Sequence, residues 1–208
     1  MEFWNRFDEI AERWNVLEHP FYERWSKGEL LRDELARYSG QYRHAVEALA
    51  DASAGAAEGA EGEVREHLDG HAAEERTHVE LWDRFVDSVG GDAAAEPNVE
   101  SRVCAEVWAG AGRSTAETLA ALYAIESAQP AIAATKRAGL LEHYGIEPGP
   151  GTEYFEVHAD LDHEHAAAHR ALLELELGKG RDDELLEAAR AVLAANWALL
   201  DGVDREND

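Results

Sequence analysis

His158, Asp162 and His165 follow the spacing H-x3-D-x2-H. At about 100° per residue, positions i, i+4 and i+7 of a helix fall within roughly 60° of one another. An imidazole, a carboxylate and a second imidazole therefore share one stripe, as a metal coordination shell requires. His163 and His169 are nearby and are expected to be solvated bystanders. Two other segments offer partners for the stripe. Within His71-Ala-Ala-Glu-Glu-Arg-Thr-His78, Glu75 and His78 form E-x-x-H, an i, i+3 pair able to give one nitrogen and a bridging carboxylate. Glu74 is an i, i+4 alternative to Glu75, and His71 lies on the same face. Glu126 stands alone among the apolar residues of Leu122 to Ile132, where an ionised carboxylate is costly unless a cation faces it. Glu75, His78, Glu126, His158, Asp162 and His165 together provide enough donors for two metal ions. Mixed nitrogen and oxygen donors suit iron or manganese, and zinc accepts the same ligand types.

The elements that must position these side chains are helical. Apolar residues recur at helical spacing almost throughout, and alternating β-branched runs are missing. The pattern predicts an all-α bundle of about seven helices in one domain spanning residues 1–208. Helices are expected over 2–16, 19–25, 31–52, 63–89, 99–111, 115–143, 153–177 and 182–200. A small-residue turn is expected over Gly55 to Gly62, and the segment 63–89 is expected as one helix or as two with a break near Gly70. Ser114 or Thr115 is a candidate N-cap, and Pro130 should kink its helix.

Composition narrows the function. Nineteen basic against 44 acidic residues give a formal net charge of −25, which repels phosphate backbones and anionic lipid surfaces. Nucleic acid and membrane are thus poor partners. Only Lys27, Lys136 and Lys179 are lysines, and acidic residues and alanine abound, a balance that fits a salt-adapted cytoplasmic protein. The single cysteine, Cys104, rules out an internal disulfide framework and a Cys-rich zinc site. Its apolar helical setting is that of a small buried residue rather than a nucleophile. No signal peptide or membrane span is expected from the sequence.

Several motifs coincide with one family. They are the run Leu17-Glu-His-Pro-Phe-Tyr-Glu-Arg-Trp-Ser-Lys-Gly-Glu-Leu30, His78-Val-Glu-Leu-Trp82, Leu122-Tyr-Ala-Ile-Glu126, Lys136-Arg-Ala-Gly-Leu140 and the H-x3-D-x2-H stripe. Through them the chain resembles the heme-oxygenase-like dimetal oxygenases of the TenA and pyrroloquinoline-quinone-synthase-like superfamily. The likeness is strongest to the para-aminobenzoate synthases related to the chlamydia protein associating with death domains. The resemblance implies one metal held by Glu75, His78 and His158 and another by Glu126, Asp162 and His165, as Fe/Fe or Mn/Fe. It also implies dioxygen as cosubstrate, an external reductant and a chain that is its own substrate. In that reading Tyr22 is consumed, Lys136 donates the amino group and Tyr38 is a further aromatic of the site. A homodimer is compatible with the family.

Two departures stand out. The chlamydial pattern has a longer gap between its first glutamate and histidine, so matching Glu75 assumes a local deletion, and E-x-x-H resembles the fatty-acid decarboxylating members instead. Ile125 replaces a tyrosine of the synthases and removes a radical relay there. Three other functions compete: a dimetal oxygenase or decarboxylase acting on an external small acid, a TenA-type thiaminase, and a non-enzymatic regulator. The thiaminase needs a nucleophilic cysteine where the Glu126 segment has none.

Overall fold

A computed structural model describes residues 2–205. Among them are eight α-helices and no strand: α1 (Glu2–Arg13), α2 (Pro20–Lys27), α3 (Arg32–Glu58), α4 (Gly62–Val89), α5 (Val99–Ala109), α6 (Thr115–His143), α7 (Glu153–Glu174) and α8 (Asp182–Arg205). A 3-10 turn, Val16–Glu18, separates α1 from α2.

Local chemistry sets the helix starts. Pro20 occupies the first turn of α2, where its missing N–H costs nothing, and the His19 side chain accepts from the Phe21 N–H at 3.0 Å. Ser114 caps α6 in a reciprocal box: Ser114 Oγ accepts from the Glu117 N–H, and Glu117 Oε2 accepts from the Ser114 N–H at 2.8 Å. Such a cap contributes about 1 kcal/mol.

Long helices do the positioning. α3 lies along α4, α6 along α7, and α8 against α5 and α6. α6 is buried around most of its circumference from Ala116 to Leu140, leaving only the narrow small-residue stripe Ser127, Ala131, Ala134 and Ala138 exposed. The helix continues through Pro130, which has no N–H to give the carbonyl one turn back, that of Glu126.

The turn expected over 55–62 is confined to residues 59–61, and of the two readings of 63–89 the single helix is the one found. α3 runs on through Gly55 to Glu58, because Ala52, Ser53, Ala56 and Ala57 are buried and packing outweighs the weak helix preference of one exposed glycine. α4 likewise passes Gly70 uninterrupted. The last helical segment before the 178–180 turn is shorter than expected, ending at Glu174. None of the described helices is long and apolar enough to cross a membrane.

Candidate metal centre and its tyrosine-lysine cage

α4, α6 and α7 bring a cluster of buried acids and imidazoles together. Glu75, His78 and His158 converge as expected, with one donor atom from each within 4.8 Å of the others. Glu75 Oε1 lies 3.0 Å from His78 Nδ1, and the His78 and His158 rings are 4.5 Å apart. His158 Nδ1–H donates to the Tyr154 carbonyl at 2.7 Å, which turns Nε2 inward without a hydrogen-bond partner. That is the second-sphere arrangement by which a protein orients a metal-binding imidazole. The Tyr154 ring stacks on His158 at 3.9 Å.

Glu126 has different companions from those expected. Its carboxylate lies between His71 and His169, with Oε1 2.6 Å from His71 Nε2 and Oε2 2.6 Å from His169 Nδ1. His169 is therefore not a solvated bystander: it is fully buried, one face of α7 carrying His158, Asp162, His165 and His169 inward. His163 is exposed. Asp162 is buried with Oδ2 unpartnered, and His165 Nδ1 lies 3.8 Å from its Oδ1. His165 Nε2 reaches Glu74 Oε2 at 3.1 Å, so Glu74 and Glu75 diverge: Glu75 points to the core and Glu74 to the half-exposed rim. A third convergent group joins His165 to His71 and Glu75.

Electrostatics follow from this burial. Burial alone would raise the Glu126 carboxyl, but His169 and His71 outweigh it and hold the group well below the carboxylate range. Glu75 is held low in the same way, burial being overcome by His78, His158 and His71. Asp162 has no such compensation: burial, then the charges of Glu126, Glu75 and Glu74, push it up to about 9. Burial depresses His158 to about 4, leaving a neutral imidazole suited to ligation. The unpartnered buried atoms include His71 Nε2, Glu75 Oε2, Glu126 Oε1, His158 Nε2, Asp162 Oδ2, His165 Nδ1 and His169 Nε2. Buried polar atoms without partners are costly, and a run of them along one seam fits bound cations.

Next to this cluster lies a cage of rings. Tyr22 (α2), Tyr38 and Tyr42 (α3), Trp82 (α4) and Phe155 (α7) surround the Lys136 amine of α6, whose Nζ is 4.5–5.8 Å from all five ring centroids. Tyr22 and Tyr38 hydroxyls are hydrogen-bonded at 2.8 Å. Trp25 Nε1–H donates to the Lys136 carbonyl at 3.1 Å and fixes the α2–α6 approach. Burial lowers Lys136 to about 7 and raises Tyr22 and Tyr38 well above the phenol range. Tyr22, Tyr38 and Lys136 are thus brought together as the resemblance implies. The Lys136 charge acts on His158, so cage and cluster are electrostatic neighbours.

Cys104 is fully buried, and burial pushes its thiol up, which leaves no thiolate for nucleophilic chemistry. A cleft of about 200 Å³ lined by Glu126, Pro130, Asp162 and His163 opens toward the cluster from the surface.

Fold and site define a class. A family model described as an iron-containing redox enzyme matches residues 36–197, and the chain belongs to that family. Within reach of it, the 4-aminobenzoate synthase of Chlamydia muridarum is 33% identical over 97% of this chain and 89% of its own length. The fold recurs in a heme-oxygenase-like domain from Shewanella denitrificans, with a TM-score of 0.84 at 19% identity over 96% of this chain and 90% of that one. It recurs too in a CADD-like protein from Nostoc punctiforme, with a TM-score of 0.77 at 20% identity over 99% and 98%.

Proposed function

We propose that this chain is a metal-dependent 4-aminobenzoate synthase that draws the aromatic ring from its own Tyr22 and the nitrogen from Lys136. The observation that carries the reading is the cage: a buried amine enclosed by the ring of the tyrosine it would serve, 5.2 Å from its centroid, beside a seam of unpartnered metal-type ligands. Relatives covering nearly the whole chain and named 4-aminobenzoate synthase support it.

Iron, or manganese with iron, held by Glu75, His78 and His158 and by the Glu126 group would supply activation of dioxygen, with electrons from an external reductant. The chain's own residues do the rest. Tyr22 is 1% exposed, so water is kept from its ring while it is oxidised. The Tyr38 hydroxyl shares a hydrogen bond of 2.8 Å with the Tyr22 phenol and holds it in place. Lys136, lowered to about 7, has a large neutral fraction at neutral pH, and only the neutral amine has the lone pair to donate nitrogen. The five rings orient that amine without a carboxylate to lock it as ammonium.

Purified protein given iron or manganese, a reductant and oxygen should release 4-aminobenzoate and lose mass at Tyr22. Nitrogen-15 introduced through lysine should appear in the product. Tyr22→Phe should retain metal and give no product. Product from Tyr22→Phe would mean an external substrate, and no product with an unaltered Tyr22 would end the reading.

A further inference from the structure

The geometry points to a second metal site built from His71, Glu126 and His169, in place of one built from Glu126, Asp162 and His165. It deepens the reading above and rests on it only for the presence of bound metal.

Three observations converge. One donor atom each from His71, Glu126 and His169 lies within 4.8 Å of the others, whereas Asp162 belongs to none of the convergent groups among the described residues. All three residues are at most 3% exposed. The third observation is the state of the donors. His71 Nε2 approaches Glu126 Oε1 to 2.6 Å without hydrogen-bond alignment, His169 Nε2 is buried without a partner, and the one aligned hydrogen bond within the group joins Glu126 Oε2 to His169 Nδ1 at 2.6 Å. Oxygen and nitrogen donors directed at a common point in that way are placed for a cation.

Neighbouring residues support the site. Ser53 Oγ contacts His71 Nδ1 at 2.7 Å, and with Nδ1–H donating to it the Nε2 lone pair faces Glu126. The His67 ring lies 4.9 Å from that of His169 and its Nε2 is buried without a partner, so it walls the site without belonging to the convergent group. Helix spacing explains the convergence: His67, His71 and His78 are one and two turns apart on α4, and His169 is three turns beyond His158 on α7.

The chain then carries two sites of the same composition, each of two imidazoles and one carboxylate: Glu75 with His78 and His158, and Glu126 with His71 and His169. That donor set with open positions is the one used for divalent iron in oxygen-activating proteins, and manganese accepts it. Asp162 stays beside the pair without ligating.

The test counts ions. Metal-free protein is titrated anaerobically with Mn(II), free ion being read by its electron paramagnetic resonance signal, and the bound metal is confirmed by elemental analysis. The wild type should bind two ions. His71→Ala and His169→Asn should each lose one ion or weaken it at least tenfold, and Asp162→Asn should keep both. Circular dichroism and melting of each variant separate ligand loss from misfolding, and the paired His169→Asn and His169→Ala variants guard against a single unfolded one. Two ions retained in the folded His71 and His169 variants, or one lost in Asp162→Asn, overturns the site, as does a wild type that binds only one. A wild type that binds two ions through these residues but makes no 4-aminobenzoate sinks the proposed function and leaves the site standing.

Discussion

Lys136 gives the sharpest test of the physical reasoning. Its amine is fully buried and lowered from the ordinary 10.5 to about 7. Below pH 7 the folded chain must hold an ammonium in an apolar cage; above it, the folded chain binds fewer protons than the unfolded one. Stability should therefore rise with pH between about 7 and 10.5, the window set by the two values. From pH 7 to 9 the gain is about 2 kcal/mol, and the full cost at acid pH is on the order of 5 kcal/mol. Negative ring faces 4.5–5.8 Å away return part of that cost, so these are upper figures. Lys136→Met removes the titration and keeps the volume. In urea unfolding of metal-free protein, the variant should exceed the wild type most at pH 7. Its lead should shrink by up to about 2 kcal/mol at pH 9, roughly 1 M in midpoint for an m-value near 2 kcal/mol/M. Cys104 and the tyrosines titrate alike in both proteins and cancel. A lead that stays constant, or grows, from pH 7 to 9 would refute neutralisation of Lys136 by burial.

Two further outcomes are expected. Gly139→Ala would bring a Cβ within 2.6 Å of Trp25 Cδ1 and 2.7 Å of its Nε1, on a ring that is fully buried. The overpacking should cost about 1–3 kcal/mol and lower the melting temperature by several degrees; an unchanged melting curve would show that Trp25 moves freely. The net charge of −25 makes salt stabilising by screening self-repulsion, so melting temperature should climb from low to molar salt, and a flat or falling curve would contradict this.

Much of the candidate site was legible because helices repeat. His158, Asp162 and His165 share a stripe at i, i+4 and i+7, Glu75 and His78 share a turn, and Glu126 betrays itself as one acid among apolar neighbours. His169 stands eleven residues beyond His158, three turns along the same stripe, which is the sequence signal for its burial; His71, seven residues before His78, carries the same signal. The pairing of Glu126 with these two histidines was not legible, since it depends on how α4, α6 and α7 approach. The cage is likewise tertiary: its rings come from four helices and only the family resemblance singled out Tyr22, Tyr38 and Lys136. Gly55 misled because local turn preference is weak against the burial of α3 along α4.

The burial of Tyr22 bears on the lifetime of the molecule. A side chain 1% exposed and wedged among Phe21, Trp25 and Tyr38 is structural as well as chemical. Under the proposed reading, its loss would hollow the centre of the bundle, at about 3–5 kcal/mol for an aromatic removed from a core. That is a large share of the stability of a domain this size. The product, formed behind those walls, would escape as the weakened bundle opens locally. The spent chain would then be short of both a tyrosine and its fold, a single-use molecule whose removal by proteolysis is timed by its own reaction.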